Sequence, residues 1–172
     1  MLKIYRINPD ATLPIFGTTQ SACFDISACF IGNNLTKIKA HTPMNDAVGL
    51  DCCSFSGAAL QLQIPSQFRV LIPTGLIFDI PEGYSVRIHP RSGLSFKQGL
   101  TIANAEGVID SDYTQECFVM VKNESMDRIF ISHGDRIAQG ELVKSLDYYI
   151  EECYTTPSQK TDRNGGFGST GT

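Results

Sequence analysis

The sequence has no run of about eighteen or more apolar residues, so no helical membrane span is expected. Its first residues, from Met1 to Arg6, lack the apolar stretch of a secretion signal. The expected compartment is the cytoplasm, or the host cytoplasm for a viral source. A basic excess is missing too: 14 Lys and Arg stand against 18 Asp and Glu, for a net charge of -4. Proteins that hold nucleic acid polymers usually carry a basic patch, so neither such a polymer nor a membrane is an expected partner. A small anion remains possible, because two arginines and a divalent metal can reverse the field inside a narrow cleft. Six cysteines are present, but no C-x-x-C pair, so zinc-site spacing is absent. In a reducing compartment these thiols read as small apolar side chains. His41, His89 and His133 stand near no Ser or Cys in a triad-like pattern. Helical periodicity and internal repeats are nearly or wholly lacking.

What is there is short and β-rich. Runs at 2–7, 68–72, 76–80, 84–89, 117–121, 129–131, 137–143 and 147–153 are separated by Gly- and Pro-containing turns. That spacing predicts an all-β sandwich or barrel. The single helix expected lies over 92–98 and is closed by Gly99. A chain of 172 residues is most economically one domain. Residues 1–154 form its expected body. Within them, residues 31–65 lack steady alternation and read as an insertion or an elaborated hairpin. Residues 155–172 are rich in Gly, Ser and Thr and read as an arm that is mobile until a ligand orders it.

Five segments carry chemistry. Arg91, Ser92 and Gly93 follow a strand and lead into the helical turn, where a guanidinium, a hydroxyl and backbone N–H groups suit phosphate oxygens. Asp110 follows the β-branched Val108 and Ile109 and precedes a tight turn ending at Tyr113, a placement that suits a general base. Its competing reading is a carboxylate that merely stabilises the turn. Phe167, set among Gly165, Gly166, Gly168, Ser169 and Thr170, could stack on a base while its neighbours meet phosphates. Asp25 could position a magnesium ion through water or be a solvated strand residue. Gln139 could donate its amide to a phosphate. Together they point to an enzyme acting on a small nucleotide.

In this order the segments resemble the five motifs of the trimeric dUTPase family. Residues 21–28 resemble the first motif, 90–99 the second, 104–113 the third, 134–139 the fourth and 162–171 the fifth. The resemblance implies a jelly-roll-like (β-clip) subunit and a homotrimer with active sites shared between subunits. It implies hydrolysis of dUTP to dUMP and pyrophosphate with Mg2+, which keeps uracil out of DNA and supplies dUMP for dTMP synthesis. Asp110 would then activate the water that attacks the α-phosphorus, and Asp25 would hold the metal through a water. Arg91, Ser92, Gly93 and Gln139 would contact the phosphates, joined by Arg163, Gly168, Ser169 and Thr170 from another subunit's arm. Asn104 and the main chain at Val108, Ile109 and Phe118 would read uracil. Tyr113 would exclude ribose, and Phe167 would cover the base.

Cys23 stands where the family usually has glycine, and residues 31–65 exceed its usual connection by roughly thirty residues. Two rivals remain. A dCTP deaminase shares this kind of fold but needs a glutamate on the strand after the aspartate turn, where this chain has Phe118, Val119, Met120 and Val121. A nucleotide-gated regulatory protein could bind a partner through the insertion. Deleting residues 33–57 would then abolish partner binding while leaving hydrolysis intact.

Overall fold

The computed structural model describes residues 1–31, 37–53, 60–162 and 165. The strands are β1 (Lys3–Arg6), β2 (Ile15–Phe16), β3 (Phe24–Ser27), β4 (Ile38–His41), β5 (Ala47–Leu50), β6 (Cys52–Cys53), β7 (Gln61–Ile64) and β8 (Arg69–Pro73). They continue as β9 (Leu76–Asp79) and β10 (Tyr84–Pro90), then, after helix α1 (Ser92–Gln98), as β11 (Leu100–Ile102) and β12 (Gly107–Ile109). β13 (Phe118–Asn123), β14 (Ile129–Ser132) and β15 (Arg136–Lys144) complete the set.

One five-stranded sheet runs β12-β10-β15-β3-β2 and another β11-β13-β8-β4-β5. Smaller sheets are β14-β7-β6 and the pair β1-β9. All the pairings within them are antiparallel. Alternating residues such as Leu62 and Ile64, Val70 and Ile72, Val86 and Ile88, and Val119 and Val121 turn inward and meet in one apolar cluster. The architecture is all-β and jelly-roll-like. α1 ends as its sequence predicts: Gly99 adopts φ 73, and its N–H caps the Leu94 and Ser95 carbonyls.

One expectation changes and another is narrowed. Residues 147–153 form no strand: they pair with no edge, and Tyr148, Tyr149 and Ile150 are exposed. Apolar and β-branched content alone does not make a strand without a partner edge. The stretch 31–65, expected as an insertion or an elaborated hairpin, takes the hairpin form where it is described and packs into the core. Its β4–β5 hairpin joins β8 through Ala40 and His41, and Ile38 and Ala40 are buried. β7 pairs β14 along its whole length, with Leu62 and Ile64 fully enclosed. Deleting residues 33–57 therefore removes a core strand and cannot separate partner binding from hydrolysis.

Candidate active site

β3, β15 and β10 lie side by side, and their register sets out the polar groups in rows. Gln139 faces Asp25 on one neighbour and His89 on the other. Cross-strand partners point to the same face of a sheet, so these three side chains share it. Arg136 is three residues from Gln139 and would point the opposite way in a regular strand. A β-bulge between Arg136 and Ala138 shifts the phase. The Arg136 side chain consequently reaches Asp25, its Nη1 donating to Oδ2 at 2.9 Å.

Arg91 engages the other carboxylate oxygen, with Nε 3.1 Å from Asp25 Oδ1. Its Nη1 donates to the Arg136 carbonyl at 3.1 Å. Asp25 is thus clamped by two guanidiniums while its side chain remains only 14% exposed. Gln139 Nε2 donates to the Pro90 carbonyl at 3.1 Å, which fixes its amide beside the α1 turn.

A cavity of about 350 Å³ opens here, lined by Asp25, Arg91, Ser92, Gly93, Leu94, Lys97, Gln98 and Gln139. Arg91 forms the N-cap of α1 without any side-chain cap bond. Its carbonyl accepts the N–H groups of Leu94 and Ser95, so those of Ser92 and Gly93 precede the first helical bonds. A Cβ built at Gly93 would meet nothing within 4 Å. The chain's own packing therefore gives no reason for glycine at this position, whereas a ligand close to the backbone would. The cavity is cationic, rich in donors and open: a receptor for a multiply charged oxyanion. Among the described residues its one carboxylate is Asp25. Sequence reasoning missed Lys97 and Gln98 as parts of this cavity, and Arg136 as the second guanidinium on Asp25. Lys97 had a readable signal, lying one helical turn beyond Gly93. Arg136 had none, because the bulge that turns it is a property of sheet pairing.

The remaining expected residues gather elsewhere. Asn104 lies in the turn from β11 to β12, where Ala105 holds φ 63 and its N–H donates to the Ile102 carbonyl. Val108 is exposed and Ile109 buried on β12, and Asp110 is exposed just beyond. The Asp110 carbonyl accepts the Tyr113 N–H at 3.2 Å. Tyr113 Oη donates to the Glu116 carbonyl at 3.0 Å, leaving the ring 42% exposed. Glu116 ties this loop down by accepting the Gly75 N–H at 2.8 Å, and Thr74 Oγ1 donates to the Cys117 carbonyl at 2.6 Å. Phe118, also partly exposed, opens β13. This is a surface with a fixed ring and a free carboxylate, suited to a sugar and a base.

The two groups sit at opposite ends of β10. β12 runs against it with Ile109 facing Val86, so Asp110 falls near Ser85, whereas Arg91 follows the strand's last residue. Six residues of strand span roughly 20 Å. One copy of the chain cannot bring Asp110 and Asp25 to the same phosphate. Arg163, Phe167, Gly168, Ser169 and Thr170 lie outside the described residues.

A sequence profile of the dUTPase family matches residues 36–171. A deoxyuridine 5'-triphosphate nucleotidohydrolase of Wolinella succinogenes is 34% identical over 171 residues, covering 99% of this chain and 93% of the relative. Among solved structures, the Staphylococcus bacteriophage 80alpha dUTPase with dUPNHPP superposes with a TM-score of 0.70 at 20% identity, over 100% of this chain and 99% of that one. A variant dUTPase from phage phi11 of S. aureus, described as revealing the coordination of a structural Mg(II) ion, superposes with a TM-score of 0.68 at 18% identity, covering 92% of this chain and 99% of that one.

Proposed function

This chain belongs to the dUTPase family, and we propose from that membership and its two half-sites that it hydrolyses dUTP to dUMP and pyrophosphate. The observation that carries the reading is the cavity where Arg91, Lys97, the carboxylate of Asp25 and open backbone N–H groups meet, with Arg136 holding that carboxylate from beside the cavity. Arg91, Ser92, Gly93 and Gln139 bind the triphosphate. Its oxygens compete with Asp25 for Arg91, so substrate binding exchanges one ion pair for another.

Asp110 takes a proton from water as the water oxygen bonds to the α-phosphorus. The bond to the bridging oxygen breaks, and pyrophosphate leaves carrying that electron pair. The cationic lining offsets the negative charge developing on the leaving group. Because Asp110 and Arg91 lie at opposite ends of β10, sites shared between subunits are proposed, and family membership makes a homotrimer the proposed assembly.

The residues present fit a magnesium ion. One partly enclosed carboxylate beside a phosphate pocket is what Mg2+ uses when it keeps most of its waters and binds chiefly through substrate oxygens. Asp25 would hold it through an intervening water, and the ion would neutralise phosphate charge.

Asn104 and the main chain of Val108, Ile109 and Phe118 are assigned to uracil. Tyr113 is assigned to the sugar, where a ring anchored through its hydroxyl leaves no room for a ribose 2′-OH. Cytosine would leave fixed buried donors and acceptors unpaired, at a large cost in rate. Arg163, Phe167, Gly168, Ser169 and Thr170 are assigned to closing over the phosphates and base. The enzyme is placed in the cytoplasm, where thiols such as Cys53 and Cys153 stay reduced.

Pyrophosphate release measured across dUTP, dTTP, dCTP and UTP tests the reading, with activity expected on dUTP alone. Asp110→Asn should lower kcat by about two to four orders of magnitude while dUTP still binds. Turnover within a factor of a few of the unmodified protein would remove Asp110 from its assigned role.

A further inference from the structure

One row along the same sheet face from Asp25 and Gln139 is a second cluster with different chemistry. Arg87 faces Glu141 across β10 and β15, and Cys23 immediately precedes β3 beside them. The Cys23 thiol, the His89 imidazole and the Glu141 carboxylate each offer one ligand atom, and the three atoms lie within 4.8 Å of one another. Each side chain is partly buried. His89 Nε2 is enclosed and has no hydrogen-bond partner among the described residues, while Glu141 Oε2 stands 3.5 Å away.

An unbonded imidazole nitrogen facing a carboxylate at that distance is a poor ion pair but a good edge of a coordination tetrahedron. Ligand bonds of about 2.1 Å at tetrahedral angles put neighbouring ligand atoms about 3.4 Å apart. On the other side of the ring, His89 Nδ1 lies 3.7 Å from Glu106 Oε1, and Arg87 holds Glu106 through a contact of 3.2 Å to Oε2. A carboxylate behind the imidazole is the arrangement that orients a metal-binding histidine and strengthens its donor nitrogen. Thiolate, imidazole and carboxylate together favour Zn2+ over the hard, oxygen-seeking Mg2+.

We propose that Cys23, His89 and Glu141 form a binding site for one zinc-type divalent cation per subunit, separate from the phosphate cavity. The site ties together β3, β15 and β10 beside Asp25, Gln139 and the turn that carries Arg91, and water fills its fourth position. Coordination releases the Cys23 thiol proton to solvent and changes no oxidation state. The proposal does not depend on which nucleotide the neighbouring cavity accepts.

The test uses the full-length protein, freed of metal by chelator and titrated with Co2+ and Zn2+. The expected result is one equivalent of Co2+ per subunit, with a thiolate-to-cobalt charge-transfer band in the near ultraviolet. That band should be absent in Cys23→Ser and present in Cys53→Ser and Cys153→Ser. Glu141→Gln should weaken Zn2+ binding at least tenfold, and Zn2+ should raise the Tm of the unmodified protein but not that of Cys23→Ser. Persistence of the band in Cys23→Ser, uptake well below one equivalent, or equal Zn2+ stabilisation of both proteins would overturn the assignment.

Discussion

A glycine with empty space around it is among the more informative residues in this chain. A Cβ at Gly93 meets no neighbour within 4 Å, so Gly93→Ala should leave Tm nearly unchanged. Nucleotide binding should nevertheless weaken at least tenfold, because the added methyl occupies the path of the phosphate. Calorimetry of the variant, with and without a non-hydrolysable dUTP analogue, separates the two effects. Loss of stability in the variant would show instead that the glycine serves the fold.

The thiols give a second residue-scale prediction. Burial pushes the Cys117 thiol up to about 12 and the Cys52 thiol up to about 11, from an ordinary 9.0. The unfolded chain therefore loses these protons at lower pH than the folded one does. Their contribution to stability is whole below about pH 9 and falls as pH rises toward 11 and 12. Urea midpoints should decline as pH rises from about 9 toward 11 and 12, and less steeply in Cys117→Ala. A parallel decline in that variant would place the effect elsewhere.

At the scale of elements, the sequence reads well where apolar and β-branched residues are dense and turn residues bound the strand. β8, β9, β10, β13, β14 and β15 coincide with expected runs, and α1 matches its expected bounds, because Val, Ile and Phe alternation and the Gly99 stop are local signals. β2, β4, β5 and β6 take their identity from the strands they pair with, so their own residues do not announce them. The site divides in the same way. Arg91, Gly93, Asp110 and Gln139 stand out through motif order, whereas Arg136 joins Asp25 only through a bulge.

The β4–β5 hairpin is the clearest case of an element understood only in context. Ile38→Ala should cost about 2–5 kcal/mol of stability, as a buried truncation in a core does. Denaturant unfolding checks this. A loss below about 1 kcal/mol would return the hairpin to the status of an appendage.

At the scale of the whole molecule, separation of the half-sites makes assembly a condition of chemistry. Subunits carrying Asp110→Asn and subunits carrying Arg91→Ala should each be inactive alone. Unfolded together and refolded at equal amounts, they should recover about one quarter of the normal activity, since random assembly unites the two intact halves in that share of sites. No recovery in verified mixed assemblies would mean that a single subunit supplies both groups.

The span of β10 has a genetic corollary. In the proposed shared-site assembly, a lesion that shortens or buckles this strand would disturb two reaction centres, one through each end. A defective allele of this kind should behave as a dominant one, poisoning the products of a healthy copy made in the same cell.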